Sequence, residues 1–113
     1  MAGLTTHVLD TAHGKPAAGV ALRLLRDGEV IAAATTNADG RCEQPLLPAS
    51  LLTTGRYRLE FEVGAYFRAL GVALPEPNFL ETVVLDFGVA DAGAHYHVPL
   101  LVSPFGYSTY RGS

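Results

Sequence analysis

Tryptophan is absent from the 113-residue sequence, and cysteine and methionine occur once each. A lone Cys42 leaves no internal disulfide and no cluster of cysteine ligands for zinc. Charge is sparse: 17% of residues are charged, and 8 basic against 11 acidic residues give a net charge of −3. No run of Lys or Arg stands out, so the basic stripe by which proteins displace counterions from nucleic acid is missing, and no nucleic-acid partner is expected. Long apolar runs are missing too. None approaches the ~20 residues that span a bilayer, so no membrane partner is expected. The opening Met1-Ala2-Gly3-Leu4-Thr5-Thr6-His7 has no charged region leading into an apolar stretch. No signal peptide is therefore expected, and the cytoplasm is the expected location. The ending Arg111-Gly112-Ser113 is not a peroxisomal address. There is no Gly-x-Ser-x-Gly elbow, no glycine-rich phosphate loop and no close carboxylate pair.

What is there is apolar surface. Hydrophobic residues make up 49% of the chain, enough to offset the conformational entropy lost on ordering. At this length a single domain over residues 1–113 is expected. Strand signals dominate. In Arg56–Val63 the residues Tyr57, Leu59, Phe61 and Val63 share one face, with Arg58, Glu60 and Glu62 on the other. Gly19–Arg26 and Val30–Thr36 flank Asp27-Gly28-Glu29, a strong hairpin signal. Asn37-Ala38-Asp39-Gly40 reads as the next turn. Glu81–Val89 and Ala94–Val102 make another strand pair, and the only helical segment is Ala65–Leu70, stopped by Gly71. Seven or eight short strands with frequent turns predict a β-sandwich. Pro99 predicts that its strand is an edge or has an unpaired N–H side. The surplus of apolar residues, in segments such as Pro99-Leu100-Leu101-Val102, is expected to cover subunit interfaces.

Candidate chemistry sits on four histidines: His7, His13, His95 and His97. Imidazole is the side chain whose ordinary pKa permits proton transfer near neutral pH. Alternation places Thr5, His7 and Leu9 on one strand face, and His95 with His97 on one face of another. A His-x-His pair with His7 as a third ligand could hold a metal, and histidines bonded to backbone groups are the plainer alternative. Arg41 follows the Asp39-Gly40 turn and is expected to open the next strand. Taken alone it reads as a solvated turn charge. Cys42 reads as a buried structural thiol. The C-terminal run from Ser103 to Ser113 is unusually aromatic for a chain end and reads as a last edge strand.

These motifs together resemble the 5-hydroxyisourate hydrolases, the transthyretin-related family of purine catabolism. The resemblance covers nearly the whole chain: Leu4-Thr5-Thr6-His7-Val8-Leu9-Asp10-Thr11, Gly14-Lys15-Pro16-Ala17, Thr36-Asn37-Ala38-Asp39-Gly40-Arg41, Tyr66-Phe67, His95-Tyr96-His97-Val98-Pro99-Leu100-Leu101 and the terminal Tyr110-Arg111-Gly112-Ser113. Asn37, where an acidic residue is frequent, and Val102, where Leu is usual, are mild departures. The resemblance implies an all-β, transthyretin-like sandwich of two four-stranded sheets with one short helix. It further implies a homotetramer, a dimer of dimers with sites at the ends of a central channel. The implied reaction is hydrolytic opening of 5-hydroxyisourate to 2-oxo-4-hydroxy-4-carboxy-5-ureidoimidazoline, with no metal and no cofactor. The implied catalytic residues are His7, Arg41, His97 and Ser113, with Tyr110, Arg111 and Gly112 joining His7 and Arg41 in binding substrate. In the resulting expectation His7 activates water, with His97 orienting it or sharing the proton. Arg41 polarises the substrate carbonyls. The same scaffold without turnover would be a transthyretin-like carrier of an apolar ligand.

Overall fold

The computed structural model describes residues 2–112, and its side chains from residue 3. Nine strands and one α-helix follow one another along the chain: β1 (Ala2–Asp10), β2 (Lys15–Pro16), β3 (Ala21–Arg26), β4 (Glu29–Thr35), β5 (Leu47–Pro48), β6 (Gly55–Glu62), α1 (Val63–Ala69), β7 (Thr82–Val89), β8 (Tyr96–Ser103) and β9 (Gly106–Thr109). One sheet has the order β4-β3-β6-β7, antiparallel throughout. The other runs β2-β1-β8-β9, with β5 also on β1. This sheet holds five strands, not the expected four, because two-residue β2 and β5 share one edge of β1 at opposite ends. Its centre is a parallel pair, β1 against β8, from Leu4↔Tyr96 to Asp10↔Val102.

The core lies between the sheets. Leu4 and Val8 from β1, Val98, Leu100 and Val102 from β8, Leu22 and Leu24 from β3, and Tyr57, Leu59 and Phe61 from β6 fill it. The alternation that marked these strands is thus a true two-face pattern. Pro99, Leu100 and Val102 are buried here within the single chain, so they are not the apolar surplus available to a partner. That surplus lies instead on Val30, Ile31, Phe79, Val84, Phe105, Tyr107 and Tyr110, all exposed.

Two local expectations change, and one settles on the second of its alternatives. The helix begins at Val63, two residues before the expected start. Val63 is fully buried, and Gly64 N–H donates to the Glu81 carbonyl at 3.0 Å, which turns the chain out of the strand there. The helix ends as expected: Gly71 has φ +83°, its N–H donates to Arg68, and Val72 N–H donates to Phe67, the paired bonds of a glycine-capped terminus. Pro99 does not sit on an edge strand, since β8 is flanked by β1 and β9. Its carbonyl accepts from Thr109 Oγ1 at 2.8 Å, so its nitrogen also faces the β9 side. Pairing with β9 stops at Leu100↔Thr109 and resumes only at the His97↔Gly112 bridge, so the missing N–H falls in a gap. Finally, Arg41 opens no strand. It makes a single antiparallel bridge to His7.

One buried group was not marked by its sequence context. Asp10, 1% exposed at the end of β1, accepts from the Tyr66 hydroxyl at 2.8 Å and from the His13 backbone N–H at 3.0 Å. His13 Nδ1 lies 2.6 Å from its other contact, Oδ2. Burial alone would raise the Asp10 pKa, but the hydrogen bonds from Tyr66 and His13 outweigh it and hold the carboxyl below its ordinary value. The arrangement ties α1 to the β1–β2 turn.

Candidate active site

The outer face of the five-stranded sheet carries Thr5 and His7 from β1 and His97 from β8, all partly exposed. Thr5 and His97 are directly paired across the parallel ladder, and His7 is two residues further along. Parallel pairing therefore brings together side chains some ninety positions apart in sequence.

The 37–41 turn delivers Arg41 to the same face. Asn37 Oδ1 accepts from the backbone N–H of Asp39 at 2.9 Å and of Arg41 at 3.2 Å, a side-chain-closed turn that suits asparagine. Gly40, at φ +74°, then lets its carbonyl take the Val8 N–H at 2.8 Å. A Cβ on Gly40 would strike the Val8 carbonyl, so no other residue fits the approach. The turn is thereby fastened to β1, and the bridge pairs Arg41 with His7. Arg41 is exposed, and among the described residues its guanidinium has no hydrogen-bond or ion-pair partner.

The two rings expected to act are held differently. His7 Nε2 lies 2.9 Å from the Asp39 carbonyl. A carbonyl only accepts, so His7 carries its proton on Nε2, and Nδ1 is left as its basic atom. His97 Nδ1 lies 2.8 Å from Thr5 Oγ1, which leaves Nε2 as its other nitrogen. Burial first, then the nearby Arg41, His7 and His95, push the His97 pKa below the ordinary imidazole value and keep this ring neutral at pH 7.

The C-terminal segment closes the far side of His97. Gly112 N–H donates to the His97 carbonyl at 2.7 Å, and a Cβ on Gly112 would lie 2.8 Å from the His97 ring. Glycine here lets the tail lie flat on the imidazole. Tyr110 is exposed beside it. Arg111 is committed elsewhere: its guanidinium sits 4.0 Å from the Tyr96 ring centroid and donates to the His95 carbonyl at 3.3 Å, which anchors the tail. Ser113 lies outside the described residues. A cavity of about 400 Å³ opens between Thr5, His95 and His97 on one side and the Arg41–Leu46 segment on the other. Cys42 is half-buried in its wall, and burial raises its thiol pKa, as suits an unreactive thiol.

Two members of the cluster were not carried forward from sequence. Thr5 shares a strand face with His7 but looks like an ordinary strand threonine. His95 is a candidate for proton transfer, for a metal-binding pair or for bonding to backbone groups in the sequence, but not one of the implied site residues. Its Nε2 lies 3.0 Å from the same Thr5 hydroxyl that meets His97. Among the described residues no group of three His, Cys, Asp or Glu side chains is disposed to hold a metal ion.

A family model for the HIUase/Transthyretin family matches residues 4–112. The chain belongs to the HIUase/Transthyretin family. Members resemble it closely. It is 59% identical over 117 residues to a 5-hydroxyisourate hydrolase of Ralstonia nicotianae, with all of both chains covered. Among solved structures, the 5-hydroxyisourate hydrolase of Klebsiella pneumoniae superposes with a TM-score of 0.82 at 42% identity, covering 97% of this chain and 98% of that one. Sea bream transthyretin in complex with thyroxine superposes with a TM-score of 0.83 at 32% identity, covering 96% and 93%. The family's sandwich, with one short helix, is thus the fold of this chain.

Proposed function

We propose that this member of the HIUase/Transthyretin family hydrolyses 5-hydroxyisourate to 2-oxo-4-hydroxy-4-carboxy-5-ureidoimidazoline in urate degradation, as one transthyretin-like domain of a cytoplasmic homotetramer. The observation that carries the reading is the His97 ring, an Arg41 guanidinium without a partner among the described residues, and a second ring, His7, together on one open sheet face. Relatives bearing the hydrolase name match over the full chain.

Opening a ring amide needs a water deprotonated near neutral pH and a place for negative charge on the carbonyl oxygen. A positioned base typically contributes ~10²–10⁴-fold. The connections of the two rings favour the reverse of the assignment expected from sequence. His97, kept neutral and bare at Nε2, suits the water-activating base. His7, with Nε2–H given to Asp39, presents Nδ1 as an acceptor for a substrate ring N–H. Arg41 offers paired donors in a fixed fork to the carbonyl oxygens, where charge develops. Tyr110 and Gly112 bound the substrate edge next to His97, with Arg111 anchoring that segment, and Ser113 keeps its expected catalytic part in the proposal.

Edge strands support the assembly. A second cavity of about 410 Å³ lies between β7 and the β9 tail, lined by Val84, Phe87, Tyr107 and Tyr110 among others. These apolar edges are suited to pairing with further copies of the chain. The test follows the decay of 5-hydroxyisourate made in situ by urate oxidase, with the spontaneous rate subtracted. The parent chain should accelerate decay, and folded His97→Ala and Arg41→Ala should not. Parental rates in both variants would overturn the site. Saturable binding without any acceleration would instead make the chain a carrier, as the thyroxine complex of sea bream transthyretin suggests for the scaffold.

A further inference from the structure

We infer that Thr5 and His95 form a proton relay behind His97, with the Thr5 hydroxyl passing a proton between the two imidazoles. The inference deepens the reading above and rests on His97 being the base. Its foundation is geometric. Thr5 Oγ1 lies 2.8 Å from His97 Nδ1 and 3.0 Å from His95 Nε2, both within hydrogen-bond reach. Two hydrogen bonds need two protons, and a hydroxyl carries one. At least one ring must therefore donate to Thr5, and where the hydroxyl gives its own proton to the other ring the tautomers of His95 and His97 are coupled.

As the base, His97 needs its lone pair on Nε2. The resting arrangement is then His97 Nδ1–H donating to Thr5 Oγ1, and Thr5 O–H donating to His95 Nε2. His95 holds its own proton on Nδ1. When water is activated, its O–H bond breaks and a bond to His97 Nε2 forms. The His97 Nδ1–H proton passes to Thr5 Oγ1, and the former Thr5 hydroxyl proton passes to His95 Nε2. Hydroxide adds to the substrate carbonyl, and the positive charge comes to rest on His95, one hydrogen-bonded step beyond His97. Run backwards, the chain returns a proton from His97 Nε2 to the departing ring nitrogen, so no net proton is taken up.

Thr5 and His95 touch no substrate in this scheme. They are positioning residues that act through His97, and a merely structural role for them would leave tautomers and relay chemistry unmoved. Thr5→Val keeps the β-branched shape and removes only the hydroxyl. It should lower kcat about 10-fold or more, a share of the ~10²–10⁴ a positioned base supplies, with KM within about 2-fold of the parent. Thr5→Ser should restore parental kcat. His95→Gln should reproduce the Thr5→Val loss, and the double variant should be no worse than either single one, because both break one chain. A second readout needs no substrate: ¹⁵N NMR of histidine-labelled protein should show His95 and His97 protonated at Nδ1 and His7 at Nε2, with His97 released from Nδ1–H in Thr5→Val. Parental kcat in Thr5→Val and His95→Gln, beside an inactive His97→Gln, would overturn the relay while leaving His97 as the base. Parental kcat in His97→Gln would overturn the functional reading itself. A His97 found protonated at Nε2 in the parent would refute the resting arrangement whatever the kinetics.

Discussion

Replacing Asp10 by Asn tests whether the buried carboxylate holds α1 to the β1–β2 turn. The substitution preserves volume and one acceptor oxygen, which can still take the His13 backbone N–H. It replaces the oxygen that accepts from Tyr66 at 2.8 Å and meets His13 Nδ1 at 2.6 Å. Hydrogen bonds to a charged group contribute roughly 1.5–3 kcal/mol each, and a turned Tyr66 hydroxyl regains part of one by accepting from the new amide. The net loss is about 2–4 kcal/mol, a Tm drop of roughly 8–17 °C for a domain of this size. Urea and thermal unfolding followed by circular dichroism, at one fixed protein concentration, measure it. The pH dependence supplies the sign. The folded carboxyl has a lowered pKa, so its stabilisation is fully present above the unfolded value of ~3.9 and is lost as pH falls through the folded value. The gap between parent and variant should therefore be full at pH 7 and contract toward pH 3. A loss under about 0.5 kcal/mol at pH 7, or a gap that widens in acid, would refute the reasoning.

Gly40→Ala should destabilise the chain by at least ~1–2 kcal/mol from its left-handed backbone alone, and should lower kcat/KM further than stability explains, because the Cβ drives the Arg41 turn off Val8; unfolding curves beside kinetics separate the two. Gly112→Ala should leave stability nearly parental while cutting kcat/KM, since the nearest atoms its Cβ would meet all belong to the His97 side chain, and parental kinetics would show that side chain free to yield. The acidic limb of kcat/KM should lie below the ordinary imidazole value of ~6.5, because burial first, and then the nearby Arg41, His7 and His95, disfavour the charged His97. Glu43 is the acidic side chain in the same cavity wall. In the residual activity of Arg41→Gln, loss of a cation should move that limb upward, and a downward move would contradict the assignment.

Strands with one wet face were legible because period-two alternation needs no knowledge of partners, as in Tyr57, Leu59 and Phe61. Val63 shows the limit. It is apolar and buried both as the next residue of that strand and as the first of a helix, so periodicity could not separate the two. Pro99 left an edge strand and an unpaired N–H side both open, and the second holds because β9 stops short of it, which is decided in another segment. His7, Arg41 and His97 were visible as residues through their motifs, whereas Thr5 as a hub was not. Its role exists only through the parallel pairing of β1 with β8, and parallel register leaves no local trace. Asp10 was hidden for a similar reason: its partner Tyr66 is on a helix 56 positions away.

The open face bears on why assembly and activity belong together in this reading. Arg41 is exposed in the single chain, and a charge in water interacts weakly: at 4 Å two unit charges attract by ~1 kcal/mol in bulk water against ~4 kcal/mol at the effective dielectric of a partly covered site. That difference of ~3 kcal/mol is worth roughly 100-fold in rate if it falls on the transition state. The same covering strengthens the hold of Asp39 on His7 and keeps bulk water from short-circuiting the Thr5 bridge. Nothing within residues 2–112 supplies the cover, since the tail closes only the His97 side and Tyr110 itself remains exposed. A further copy of the chain lying across the sheet face would supply it with no new catalytic group. On these magnitudes the tetramer in the proposal would set the dielectric in which Arg41 works.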